Sequence, residues 1–379
     1  TEHSGYTSFG YDITEYLTFG GDNVIAVRVD ATMEEGWFYE GAGIYRHVRL
    51  SKTSPLHVGR DGTFITSTID GRSSLVTART TMVNSSGARA EFTIEGTLTG
   101  PRGTVLASAT STTLTLGAGG TQEFRSHFTV RDPALWSVET PHLHTLRTVV
   151  RSGGRIVDEY DTPFGIRTVR FDPDSGFFLN GTHVVIKGTN IHQDHAGIGV
   201  AVPRAVHEFR VRQLKSMGSN AIRTAHHPPS AEFLDVCDRL GMLVLDENRL
   251  MGVNEEHLSC LERFMKRDRN HPSVILWSLG HEEWAVEGTG TGARIAQTMR
   301  AFAQSFDSSR SFTVAVSGGW DNGIGRVMPV MGYNYIVQGD IDGHHRAFPW
   351  QAGIGTEESN TGGTRGVYVT NDAAAHMAP

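Results

Sequence analysis

VILWSLGHEEW, Val274 to Trp284, is an apolar run of strand length that closes on two adjacent carboxylates, Glu282 and Glu283. A second apolar run, AGIGTEE from Ala352 to Glu358, closes the same way on Glu357 and Glu358. Both read as strands that deliver acid at their carboxyl ends. Breaking an acetal requires one carboxylic acid to protonate the departing oxygen and one carboxylate to attack or stabilise the electron-poor carbon. Two acids on neighbouring strand ends therefore form a minimal machine for glycoside cleavage.

Around these two runs the chain repeats strand, loop and helix from residue 168 onward. Strands are expected at His183 to Gly188, Asn220 to Thr224, Met242 to Asp246, Val274 to Leu279, Phe312 to Val316, Val327 to Gly332 and Ala352 to Thr356. Helical patterns lie at Ala205 to Met217, Ser230 to Leu240, Leu258 to Arg269 and Ala293 to Phe306. Repeated βα units imply a parallel sheet, here a (β/α)8 TIM barrel over 168–379 of which seven strands are evident and the last is not. Upstream, 52–167 carries short Thr- and Val-rich runs separated by Gly, Asn-Ser-Ser-Gly and Asp-Pro turn signals, the pattern of an immunoglobulin-like β-sandwich. Residues 1–51 alternate apolar and polar, as in Val24 to Val29 and Gly43 to Leu50, and read as the end of a further β domain that begins before Thr1.

In a barrel of this kind chemistry gathers at the carboxyl ends of the strands. There the sequence places His192, Asp194 and His195 after the first strand, Arg223, His226 and His227 after the second, and Asp246 and Glu247 after the third. With the two strands that end in paired glutamates, these make five chemically rich strand ends on one rim, which point to a polar pocket.

Bulk properties narrow the partners. The 379 residues fit two or three domains, and 38% hydrophobic content is ordinary for a globular chain. A net charge of −7 argues against nucleic acid or an anionic membrane as the main partner. No run reaches the roughly 18 apolar residues that span a bilayer. Cys237 and Cys260 lack a metal-ligand spacing and read as buried free thiols.

HVVIKGTNIHQDH, NAIRTAHHP, VLDEN, ILWSLGHEEW and IGTEESNTGGTRGVY together resemble the barrel of glycoside hydrolase family 2, especially its β-galactosidases. SFGYDITEYL, DNVIAVRVD and WFYEGAGIYRHVRL resemble the family's jelly-roll sugar-binding domain, which makes 1–51 the C-terminal part of a jelly roll. The resemblance implies a retaining exo-β-glycosidase with Glu282 as acid/base and Glu357 as nucleophile. It implies sugar-binding or nucleophile-holding roles for His192, Asp194, Arg223, His226 and Asp246. Arg223 is the candidate partner for the charge on Glu357. Tyr333 and Asn334 are expected to approach the nucleophile from the sixth strand, and Trp350 to stack on a sugar face. Glu283 and Glu358 are expected beside the pair, because consecutive side chains point different ways.

One position departs from the family pattern. The family has Asn just before the acid/base, where its amide is expected to bond the sugar 2-hydroxyl; this chain has His281. An imidazole is wider and, if protonated, adds a charge beside Glu282. The Asp246 to Gly252 stretch lacks the family's Glu/His metal pattern, so no metal or cofactor is expected. The expected partner is a β-galactoside or related oligosaccharide, with a homo-oligomer as a further expectation. Two readings stand behind this one: a β-glucuronidase, for which no Asn-x-Lys uronate site is evident, and a non-catalytic carbohydrate-binding protein.

Overall fold

The computed structural model describes residues 1–32 and 43–358. Eight strands build a β-sandwich: β1 (Leu56–Asp70), β2 (Ser73–Asn84), β3 (Ala90–Thr99), β4 (Val105–Thr110), β5 (Leu114–Leu116), β6 (Thr121–Arg131), β7 (His144–Ser152) and β8 (Arg155–Phe164). One sheet runs β1-β2-β6 and the other β4-β3-β7-β8, with β5 paired to β3. Alternation decides which residues go inside: Val76, Ala78, Leu98, Phe128 and Leu146 meet between the sheets, whereas Leu75, one residue from Val76, faces solvent.

The barrel begins with a small antiparallel sheet, β9 (Val169–Asp172), β10 (Gly176–Leu179) and β11 (Thr182–His183). Phe177 and Leu179 of β10 pack against Leu243, Leu245, Ile275 and Val330, so this hairpin plugs the amino-terminal end of the barrel interior. The parallel units follow: β12 (Gly188–Ile191), α1 (Arg204–Ser216), β13 (Ala221–Thr224), α2 (Ala231–Leu240), β14 (Leu243–Glu247), α3 (Glu255–Asp268), β15 (Val274–His281), α4 (Gly290–Gln304), β16 (Ser311–Val316), β17 (Val330–Asn334), α5 (Ile341–Ala347) and β18 (Ala352–Glu357). Seven parallel strands pair in sequence order from β12 to β18. The sheet curls until the Asn190 amide of β12 donates to the Thr356 carbonyl of β18, 3.1 Å away. Over the described residues the architecture is a β-sandwich followed by seven parallel strands of a TIM barrel.

Two sequence expectations need correction, and one helix goes unmarked in the sequence. The first barrel strand is Gly188–Ile191 and not His183 to Gly188, because His183 is taken up by the plug hairpin, where it pairs with Phe178. The helix α5, a seven-residue stretch with one glycine and two histidines, has too little apolar periodicity to be read from sequence. The alternating stretch from Val24 to Val29 forms no strand among the described residues. Its apolar side chains stay exposed, Val24 at 92%, since alternation produces a strand only where a neighbouring ladder takes up its backbone groups. The WFYEGAG part of the jelly-roll resemblance lies outside the described residues.

The sandwich and the barrel touch at the end opposite the acidic strand ends. Trp136 is fully buried there, with its indole N–H on the Asp238 carbonyl at 2.9 Å. Gly165 lets the backbones close: a Cβ at this position would stand 2.6 Å from Pro272 Cβ. Cys237 and Cys260 are free and buried, as expected. No described helix is long and apolar enough to cross a membrane.

Candidate active site

Inward-pointing residues of adjacent strands build the site in layers. On β14, Leu243 and Leu245 point into the barrel and Glu247 continues that face, while Val244 joins the outer core under the helices. On β13, Ala221 and Arg223 share the inner face. The lower layers are apolar, and the layer at the carboxyl ends is polar.

Arg223 organises that upper layer. Its guanidinium grips Glu247 through one edge, Nε to Oε2 at 2.9 Å and Nη2 to Oε1 at 2.8 Å. Nη1 donates to Glu357 Oε1 at 2.8 Å. Both Glu247 and Arg223 are buried, and burial raises the stake on the pair: the cation holds the Glu247 carboxyl far below the usual carboxylate range. The Ser278 hydroxyl donates to Glu247 Oε2 at 2.8 Å. Nη2 also reaches Nδ1 of His226 at 3.0 Å and Nδ1 of His281 at 2.9 Å, and these two imidazoles stack 3.6 Å apart. Burial and the neighbouring cations push the His281 ring down to about 2, so it is a neutral imidazole at any working pH. The charge beside Glu282 that a protonated His281 would bring is therefore absent.

Glu282 follows β15 in a left-handed backbone conformation, φ 45°, with its N–H on the Ala315 carbonyl at 2.9 Å. Its carboxylate takes the Asn334 amide at 2.6 Å on Oε1 and faces the Trp284 indole N–H at 3.3 Å on Oε2. Asn334 is oriented in turn by the Thr356 hydroxyl, which donates to its Oδ1 at 2.6 Å. A side-chain relay thus runs from β18 through β17 to Glu282. Tyr335, the residue after β17, sees both carboxylates: burial, with the charges of Glu282 and Glu357 adding to it, pushes its phenol above the usual range. Its N–H donates to the Glu357 carbonyl at 2.5 Å.

The structure brings together Glu282, Glu357, Arg223, His226, His281 and Asn334. His192 joins them, with its ring edge-on to His226 at 5.1 Å and its basicity lowered by burial. Asp194 stands on the same loop, where its charge acts on His192 and Arg210. Glu283 turns away to pair with Arg249 at 2.7 Å.

Three expected residues lie elsewhere. Asp246 points out of the barrel toward Asp268 and Arg267 of α3, and Glu247 occupies the inner position; a one-residue parity error exchanges the faces of a strand. Tyr333 packs outward against Trp320, rings 4.8 Å apart, and the next tyrosine on the chain that turns inward is Tyr335. Trp350 precedes β18, whereas Glu357 ends it; at about 3.3 Å per residue the two are near opposite ends of the barrel. The tryptophan that meets a carboxylate of the site is Trp284.

His226, His281 and Glu357 also offer one ligand atom each within 4.8 Å of one another. Arg223 donates to Glu357 and stands within 3.0 Å of Nδ1 of both histidines, so a divalent cation there would stand against a guanidinium. The trio does not fit a metal ion.

Two family models match this chain: "Glycosyl hydrolases family 2" over residues 57–167 and "Glycosyl hydrolases family 2, TIM barrel domain" over 172–336. Beta-galactosidase BoGH2A of Bacteroides ovatus is 36% identical over 96% of this chain and 48% of its own length. A putative beta-glucuronidase of Formosa agariphila is 31% identical over 97% of this chain and 34% of its own. Among solved structures, a glycosyl hydrolase family 2 member from Bacteroides cellulosilyticus superposes with a TM-score of 0.88 at 31% identity, covering 93% of this chain and 49% of that one. The chain spans about half the length, or less, of these relatives. Sandwich, barrel and acid-bearing strand ends thus coincide with two matched domains of one family, and the chain belongs to glycoside hydrolase family 2.

Proposed function

We propose that this chain carries the catalytic pair of a retaining exo-β-glycosidase, most favourably a β-galactosidase. The observation that carries the reading is the unequal treatment of two acids at one rim. Glu357 receives a cationic donor, Arg223 Nη1 at 2.8 Å, the partner suited to a carboxylate that must attack. Among the described residues the side chains that donate to Glu282, Asn334 and Trp284, are neutral, a setting suited to a group that gives up a proton and takes it back. Glu247 neutralises most of the charge of Arg223, which keeps the guanidinium from suppressing the nucleophile.

In this mechanism Glu282 protonates the glycosidic oxygen while Glu357 attacks the anomeric carbon, giving a glycosyl ester on Glu357. Glu282 then takes a proton from water, which displaces Glu357 and restores it. Trp284, 62% exposed, offers a sugar-facing surface beside Glu282. The interactions of Tyr335 with both carboxylates suit the close spacing that retention requires.

A β-glucuronidase is the second reading, favoured by the names of several relatives. Hydrolysis of a panel of chromogenic glycosides by the full-length protein separates the cases. The β-galactoside is expected to be the best substrate; a preference for the β-glucuronide selects the second reading, and turnover of none supports a carbohydrate-binding protein.

A further inference from the structure

The ladder between β12 and β13 runs out at Ile191, whose carbonyl takes the Ala225 N–H at 3.1 Å. The next three carbonyls, of His192, Gln193 and Asp194, lie beyond the sheet and need donors of their own. All three converge on one guanidinium, that of Arg210 on α1. Its Nη1 donates to the His192 carbonyl at 3.3 Å and the Gln193 carbonyl at 3.2 Å, and its Nη2 donates to the Asp194 carbonyl. Its Nε donates to Nδ1 of His195 at 3.2 Å, so one side chain engages four successive residues. Carbonyl oxygens drawn to one point repel one another, and it is the cation between them that makes such a bend favourable.

We propose that Arg210 is a positioning residue for the sugar site: from the helical layer outside the barrel it bends the loop after β12 and so sets His192 beside His226. The same loop is fixed at a second point. Gln193, 6% exposed, gives Nε2 to the Val200 carbonyl at 2.9 Å and takes Nη2 of Arg46 on Oε1 at 2.6 Å. Held in these two ways, the loop presents the His192 ring edge-on to His226, centroids 5.1 Å apart. Among the described residues the hydrogen bonds of Arg210 all go to this loop, so its effect on a bound sugar passes through the side chain that the loop presents. The inference rests on the glycosidase reading for what His192 meets, a sugar hydroxyl, and not for how His192 is placed.

Crystal structures of the full-length protein and of its Arg210→Met variant, both without sugar, test the placement. Methionine keeps an apolar stem and has no donor. The variant is expected to show the loop relaxed and the His192 ring away from the edge of His226; an unmoved His192 overturns the inference. Arg210→Gln, uncharged and able to reach fewer of the carbonyls, serves the same comparison if the methionine variant does not fold.

Binding tests the consequence, through the inhibition constant of an unreactive isopropyl thioglycoside of the preferred sugar. Arg210→Met should raise that constant about 10-fold, the worth of one misplaced hydrogen bond. A variant that had lost only stability would bind the inhibitor as before once folded, so an unchanged constant overturns the role. In the His192→Ala background the same change should add less than about 2-fold, because neighbours that act through one contact are not additive. Additive losses would mean that Arg210 acts by another route, and they overturn the inference too. Should the wild type hydrolyse no glycoside, the enzymatic reading fails while the pair of crystal structures still decides the placement.

Discussion

At Glu282 the backbone itself is under load. A side chain at φ 45° places Cβ against the following carbonyl, a conformation that costs on the order of 1–2 kcal/mol outside glycine. The left-handed turn is what swings the carboxylate off the end of β15 onto the Asn334 amide. Replacing Glu282 by Ala keeps the Cβ and the strain, whereas replacing it by Gly removes both. Glu282→Gly should therefore unfold at higher denaturant than Glu282→Ala, by about 1 kcal/mol, although both lose the carboxylate. Equal midpoints would mean that the turn is unstrained in solution.

Among the elements, β14 and its packing on α3 show how much the sequence can and cannot say. The apolar runs of the barrel strands were legible because nothing else places four to six buried apolar residues between helices, and six of the seven expected strands form close to their expected bounds. Which face each polar residue takes was not legible. Asp246 and Glu247 are neighbours with equal claims to the pocket, and only the pairing of Asp246 with Trp277 and of Glu247 with Ser278 settles it, since Trp277 must pack on Phe264 beneath α3. The same ambiguity separated Tyr333 from Tyr335. Arg223 and Asn334 are legible because they stand at strand ends; Trp284 and Glu247 stand there too, but each has an adjacent or nearby residue of equal chemical claim to the pocket.

The outward position of Asp246 has a measurable consequence. Burial and the nearby Asp268 carboxylate push its pKa well above the ordinary carboxyl value. A group raised on folding favours the folded state most below its unfolded pKa, near 4, and that contribution fades as pH climbs toward the folded value. Asp246→Asn removes the titration and keeps an oxygen for the Thr224 hydroxyl, which donates to Asp246 Oδ1 at 3.3 Å. Urea unfolding from pH 4 to 9 should show the variant gaining on the wild type as pH rises. Parallel curves would place the proton elsewhere.

For the whole molecule, the barrel is divided between an apolar end that meets the sandwich and a polar end that holds the acids. Asn270 is one fastening between the two domains: it accepts from the Ile65 N–H of β1 at 2.9 Å and donates to the Thr63 carbonyl at 2.8 Å. Arg269 beside it lies over the Phe64 ring at 4.8 Å. Asn270→Ala leaves two backbone groups without partners and should cost about 1–3 kcal/mol in denaturant unfolding, with no change in the substrate preference set at the far end. A shift in preference between glycosides would show that the two ends are coupled.

The account turns on the assignment of Glu357 as nucleophile and Glu282 as acid/base. Incubating the full-length protein with an activated 2-deoxy-2-fluoro glycoside and mapping the labelled peptide reads that assignment most directly, because the fluorine slows hydrolysis of the glycosyl ester more than its formation. The predicted result is a stoichiometric label on Glu357 that disappears in Glu357→Gln and accumulates still in Glu282→Ala. A label on Glu282, Glu247 or any other carboxylate would contradict it.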